Sequence, residues 1–375
     1  MVFNKKILWT AMGTLGTIAA VVMGSLTDLQ GIAQTPPADL NLAAYHAPIH
    51  YQDTDSTKYS GDYITRFDYD KDWRADNNWD NLAKFPLNAH AYYSVVETCT
   101  HWFITYSFYH PQDWTDIPFD QEHENDVEGL LTIVRKDGST FGKLEGIVTV
   151  FHKDFYSFTP TNSPLRNGTE SIDGTLTLSS YAGSLHPLTT QEAKGHGLKA
   201  WPYSTDFNGD ANSDGIIYFP SKTTSEVPAS GNDRDVQYSL LDVFATSGMW
   251  QHQLDEASLS SSAALTFNAW GGFKGDTSGG CGAGLPTCST NSANAPWGWD
   301  DSNDGSVQRG EMALDPAHLT DVYFDGLGTF DLTYIRNPYI QGLKARGYNS
   351  GNLPQGWPSS LNLDTLIGKL KNQCS

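Results

Sequence analysis

Basic charge is what this chain lacks most. Lys and Arg together number 23 against 43 Asp and Glu, a net charge of −20. So acidic a surface repels phosphodiester backbones and anionic lipid, which excludes nucleic-acid or membrane capture driven by charge. It suits cations and neutral, glycan-rich targets. Cysteine is scarce too, and the four present, Cys99, Cys281, Cys288 and Cys374, form no C-x-x-C pair. Zinc–thiolate chemistry is therefore not expected. The G-x-S-x-G turn, the H-E-x-x-H motif and a cysteine in a catalytic setting are missing as well. No internal repeat or low-complexity linker divides the sequence, and no stretch beyond the N-terminus is apolar enough to span a bilayer.

At the N-terminus, Lys5 and Lys6 precede an apolar run from Ile7 to Gly24, and Gly31-Ile32-Ala33 supplies a small-x-small cleavage site. This reads as a secretory signal peptide over residues 1–33, with an uncleaved N-terminal anchor as the alternative. The expectation is a secreted, extracellular protein, in which an even number of cysteines favours disulfides. Cys281 and Cys288 bracket GAGLPT and suggest a local staple. Cys99 with Cys374 would then tie the C-terminus to the central sheet. Residues 34–375 read as a single decorated domain, its core over 44–253 and a C-terminal elaboration over 254–375.

Alternation dominates the middle of the chain. Ala91–Glu97 and His101–Tyr109 are expected strands. In the second, Trp102, Ile104, Tyr106 and Phe108 share one face, and Phe103, Thr105, Ser107 and Tyr109 the other. Glu128–Arg135 and Phe141–His152 follow, joined by a turn containing Asp137-Gly138. Helical spacing marks Tyr238–Gln253 as the clearest helix, with shorter ones at Asp315–Phe324 and Leu361–Lys371. Gly328–Ile335 reads as a last strand and Ser258–Pro296 as a long surface loop. The fold class that emerges is mainly β.

Chemistry concentrates in Tyr106–Val134, YSFYHPQDWTDIPFDQEHENDVEGLLTIV. It reads as a strand ending at Pro111, a polar loop, and a strand opening with Asp126-Val127-Glu128. Asp113, His123, Asp126 and Glu128 fall in that loop or at its exit. Alternation in an extended chain points Asp126 and Glu128 the same way. Two carboxylates beside a histidine, with a third across the loop, repel unless positive charge sits among them; a divalent cation is the simplest answer. Three carboxylates with one imidazole form a hard donor set, which favours Ca2+ or Mg2+ over Zn2+ and leaves Mn2+ open. The plainer alternative is four solvated loop residues.

Other stretches carry weaker signals. His152 shares a face with Val148 and Val150 near a strand end, and His196 stands between Gly195 and Gly197 in a bend that would present it. Both are candidates for acid–base work, with a satisfied core histidine and a plain turn as alternatives. Asp206, Asn208, Asp210, Asn212 and Asp214 alternate like the ligands of a calcium loop. Ala211 replaces the glycine of an EF-hand and Ile217 its bidentate glutamate, leaving at most a looser cation loop. Farther on, Asp300, Asp301 and Asp304 could bind a cation while exposed Trp297 and Trp299 stack on sugar rings; buried tryptophans are the alternative.

Tyr109-His110-Pro111-Gln112-Asp113 and Glu122-His123-Glu124-Asn125-Asp126-Val127-Glu128 resemble the two hallmark segments of the necrosis- and ethylene-inducing peptide-like proteins, Y-x-P-K-D and GHRHDWE. The resemblance implies that Asp113, His123, Asp126 and Glu128 hold a divalent metal. It depends on this segment most, and extends over about Ala44–Gln253. Asn125 stands where the family has its second histidine, and Val127 where it has tryptophan. Val150-Phe151-His152-Lys153 and Gly195-His196-Gly197-Leu198 resemble later histidine-containing segments. The vacuolar-protein-sorting-like family has a similar segment. What the resemblance implies for fold is a β-sandwich core with peripheral helices, and for function a metal pocket engaging a glycan or glycolipid headgroup at a membrane surface. Two rivals remain: a metallohydrolase of a phosphate or glycosidic ester using His152 or His196, and a binding protein whose cation is purely structural.

Overall fold

The computed structural model describes residues 39–375 apart from 56, 115–121, 203–214, 253–269, 276–290, 304–306 and 375. The expected signal peptide, the Asp206–Asp214 loop, Asp304 and the Cys281–Cys288 staple lie outside the described residues. Helix α1 (Asp39–His46) leads to β1 (Ile49–Gln52), a 3-10 turn at Tyr59–Asp62 and the one-turn α2 (Asn78–Asn81). Next come β2 (His90–Thr98), β3 (His101–Asp113), β4 (His123–Arg135), β5 (Lys143–Phe151) and β6 (Asp154–Thr159). Short strands β7 (Arg166–Asn167), β8 (Gly174–Thr175) and β9 (Leu178–Tyr181) precede β10 (Ser184–Gln191), β11 (Leu198–Ala200), β12 (Ile216–Ser221) and β13 (Val236–Asp242). The C-terminal third adds β14 (Gly272–Lys274), β15 (Asn291–Asn294), α3 (Glu311–Leu314), α4 (Pro316–Tyr323), β16 (Phe324–Asp325), β17 (Tyr334–Arg336), α5 (Pro338–Ala345) and α6 (Leu363–Gly368).

The protein is mainly β, as its alternation implies. Its strands run β11-β10-β1-β12-β13-β2-β3-β4-β5-β6-β8, with β17 on β2 and β9 on β10. The order is mixed: β1–β10, β12–β13, β13–β2 and β6–β8 are parallel. The sheet curls until its first strand meets its far side. Lys199 of β11 lies 4.2 Å over the rings of both Phe151 and Tyr156, and Gly197 abuts Phe151 so closely that a Cβ would come within 2.6 Å of that ring. The layers expected of a sandwich are thus supplied by one curled sheet.

Central strand β3 shows why these residues choose this fold. Every residue from His101 to Gln112 is buried, so both faces are covered and each large side chain contributes about 1.5–3 kcal/mol. Buried phenols find acceptors: Tyr106 Oη donates to Ala43 O at 2.6 Å and Tyr238 Oη to Pro48 O at 2.7 Å. β3 also runs two residues past the expected stop. Pro111 offers no N–H, and the β3–β4 ladder skips the Pro111–Asn125 position while pairing His110 with Asp126 and Gln112 with Glu124.

Tyr238–Gln253 is not a helix. Its first residues continue β13 between β12 and β2, and a 3-10 turn follows at Met249–His252. A short apolar run fits a buried strand as well as a helix, and here parallel partners on both sides decide. The expected last strand shrinks to Tyr334–Arg336, whereas α4 and α6 form where expected. Asn362 caps α6 by accepting from Thr365 N at 2.9 Å. Cys99 and Cys374 are bridged, with Cα atoms 5.5 Å apart. The described residues cluster as one compact unit. Among the described residues no helix is long and apolar enough to cross a membrane.

Candidate metal centre

Strand register dictates where the four candidate ligands sit. Residues opposite each other in an antiparallel pair share a face. Asp126 faces with His110 and Glu128 with Phe108, while Asp113 pairs with His123 one step out of phase. Regular alternation would therefore put Asp113 and His123 on the opposite face from Asp126 and Glu128. Asn125 interrupts that alternation with a left-handed backbone, φ 61°. Its side chain is pinned on three sides: Oδ1 accepts from Asn78 Nδ2 at 2.6 Å and Tyr109 Oη at 2.9 Å, and Nδ2 donates to Ala75 O at 2.7 Å. Beyond that twist, His123 Nε2 lies 3.4 Å from Asp113 Oδ2. His123 feels the charge of Asp126, and Glu128 that of Asp113. All four groups thus belong to one end of the β3–β4 ribbon.

Asp126 is held from the other layer of the sheet. His196, fully buried, donates from Nδ1 to Asp126 Oδ2 at 2.9 Å and from Nε2 to Asp62 Oδ1 at 3.2 Å. Burial alone would lower the His196 pKa, but bonds and charges from Asp126 and Asp62 outweigh it and raise it to about 10. The ring is therefore an imidazolium. It stacks on His110 at 3.7 Å with 4° between the planes. Burial, then the His196 charge, pushes His110 well below the usual histidine range, so a charged ring lies on a neutral one. Gln191 fixes both: its Oε1 accepts from His110 Nε2 at 3.1 Å and its Nε2 donates to His196 O at 2.6 Å. Burial would raise the Asp126 carboxyl, yet the His196 bond and the charges of His196 and His123 hold it below its ordinary range.

Glu128 has a different lot. Oε1 accepts from His152 N at 2.7 Å, whereas Oε2 is buried and has no partner. Burial and then the Asp126 charge raise its pKa well above the carboxylate range. His152 stands at the rim, its side chain 47% exposed, with Nε2 2.8 Å from Glu192 Oε1 and Nδ1 3.6 Å from Glu128 Oε1. Burial opposes its charge, but the Glu192 bond and charge win and raise its pKa. Asn125, His152, Lys194 and His196 all take positive φ, four of the six non-glycine residues that do so among those described. Such strain gathers where surroundings over-determine the backbone.

Among the described residues, no three His, Cys, Asp or Glu side chains already converge to hold a metal ion. The donor chemistry nevertheless fits a hard cation. Asp113, Asp126 and Glu128 offer carboxylate oxygens and His123 an imidazole, and the buried Glu128 Oε2 has no hydrogen-bond partner. The other candidates are placed differently. His196 is not presented by its bend but locked inside, and His152 is no core histidine but stands at the rim. Trp297 and Trp299 are buried, so neither ring is open to a sugar. Trp299 Nε1 donates to Val127 O at 3.0 Å, and buried Asp301 accepts from Phe155 N at 3.1 Å and from Tyr323 Oη. Asp300 is exposed. Asp62, His110, Gln191 and Glu192 were missed by sequence reasoning. Only His110 had a signal, its place opposite Asp126 in the register.

No protein-family model and no curated protein sequence matches the chain. Among solved structures it is similar to one described as "Toxin fold for microbial attack and plant defense", at 13% identity, covering 60% of this chain and 84% of that one, TM-score 0.30. It is also similar to Necrosis and Ethylene inducing Protein 2 from the causal agent of cocoa's Witches Broom disease, at 13% identity, 61% and 96% coverage and TM-score 0.26. A third neighbour is NLPPya in complex with glucosamine, at 14% identity, 56% and 76% coverage and TM-score 0.24. At TM-scores this low the superpositions decide neither fold nor function for this chain; its own side chains must.

Proposed function

We propose that this is an extracellular binding protein that uses a Ca2+ or Mg2+ ion to engage a glycan or glycolipid headgroup. Asp113, His123, Asp126 and Glu128 would hold the ion. The observation that carries the reading is the buried, unpartnered Glu128 Oε2 beside Asp126, at a strand end that also carries Asp113 and His123. A hard cation bound there would supply open coordination positions for sugar hydroxyls. The chain's own part is to hold the donors: Asn125 breaks the strand alternation between His123 and Asp126, and His196 fixes Asp126.

Glu128→Gln is the cleanest test, because glutamine keeps the Oε1 acceptor for His152 N and alters only the unpartnered oxygen. Calorimetric titration should find one equivalent of Ca2+ or Mg2+ on the wild type and none on this variant, with glycolipid-vesicle binding lost in parallel. Undiminished vesicle binding by the folded, metal-free variant overturns the proposal. His152, at the rim between Glu192 and Glu128, favours a second reading, in which it moves a proton during hydrolysis of a phosphate or glycosidic ester. Product beyond one equivalent per protein, abolished in His152→Gln, would establish that reading, and its absence across phosphate- and glycosyl-ester panels removes it.

A further inference from the structure

Asp62 lies on the 3-10 turn after β1, over sixty residues before Asp126 and far from every motif of the sequence. It is fully buried and spends both oxygens inside the protein. Oδ1 accepts from His196 Nε2 at 3.2 Å and from Lys194 N at 2.8 Å, and Oδ2 accepts from Asp55 N at 2.8 Å. One carboxylate thus fastens the β10–β11 loop, which carries His196, to the segment that follows β1. His196 in turn spends its other nitrogen on Asp126 Oδ2. Its remaining freedom is taken by the stack on His110 and by the Gln191 bond to its carbonyl. The ring can neither rotate nor slide without breaking one of these contacts.

We propose that Asp62 is a positioning residue: acting through His196, it fixes the orientation in which Asp126 meets the cation. This rests on the cation reading above. A metal-ligating side chain held by an outer partner loses affinity when that partner is removed, typically by about 10- to 100-fold. Asp62 stands one link farther out, and the rigid imidazole transmits its hold. Asparagine at position 62 can keep the His196 bond or the Asp55 bond, but not both, because its amide nitrogen cannot accept.

The experiment is calorimetric titration of the full chain with Mg2+ and with Ca2+, on wild type, Asp62→Asn, His196→Asn and the double variant. A thermal melt of each metal-free protein accompanies it. The expected result is an affinity loss of about 10- to 100-fold in each single variant, with no further loss in the double, since both cut one chain of contacts. Glu145→Gln is the stability control: buried Glu145 is held by Arg135 Nε at 2.5 Å and His101 Nε2 at 3.3 Å near the other end of β5. It should lower the melting temperature and leave ion affinity alone. Unchanged affinity in Asp62→Asn overturns the inference while the cation reading stands. So do losses that multiply in the double variant, or an equal loss in Glu145→Gln. If Asp62→Asn does not fold, His196→Asn cuts the link from its other side and decides on affinity against the same control. A wild type that binds neither ion fails the cation reading itself, and this inference with it.

Discussion

Three histidines outside the candidate ligand set, His46, His50 and His90, are buried with low pKa values of about 4, 3 and 4, lowered chiefly by burial. The unfolded chain, with histidines near 6.5, then binds more protons than the folded one at pH values between those limits. Stability rises with pH through this window and falls on acidification from about 6.5 toward 4, by on the order of 3 kcal/mol per ring. Urea midpoints measured at pH 7, 6 and 5 should fall steadily, and His90→Gln should shallow the slope; a flat profile contradicts this. At the site, Asp126→Ala is expected to cost about 3–5 kcal/mol, because it strips one of two counter-charges from the buried His196 imidazolium. A denaturation curve checks it, and a cost under 1 kcal/mol would mean that the ring is not charged. The sequence showed Asp126 and Glu128 on one face because alternation is local. It could not show Asp62 or Gln191, which reach the site across layers of the sheet.

Among the elements, the β9–β10 hairpin turns on Ala182 and Gly183, both at positive φ, 47° and 89°. Such two-residue turns favour Asn-Gly, and alanine is strained there. Ala182→Asn should stabilise by about 1 kcal/mol and leave ion affinity unchanged; thermal melts with and without Mg2+ would show both. Gly129 in β4 is the reverse case. A Cβ there would lie 2.0 Å from Tyr106 O and 2.6 Å from Trp299 Cη2. Gly129→Ala should therefore destabilise by about 1–3 kcal/mol and disturb the neighbouring Glu128, which parallel melts and titrations would detect. The β3 and β4 strands were legible because aromatic and β-branched residues alternate through them. Tyr238–Gln253 was not: its apolar spacing fits either period, and only parallel neighbours distant in sequence selected the strand. The tryptophans of the 297–299 segment stayed open between exposed and buried, since composition does not say which surface a loop covers.

At the scale of the molecule, the 275-residue separation between Cys99 and Cys374 closes most of the described chain into one covalent loop. Reduction, or Cys374→Ser, should lower stability by about 2–5 kcal/mol, read as a shift in the denaturant midpoint. Cys99 follows β2, whose end also pairs with β17, so loosening should begin in the C-terminal segment. That segment also reaches the back of the candidate site, through Trp299. Its indole N–H bonds to the carbonyl of Val127, the residue between Asp126 and Glu128. The chain therefore contains an optical reporter of its own: an ion that draws those two side chains together must tug the peptide on which Trp299 hangs, and its emission should register the event without any attached dye.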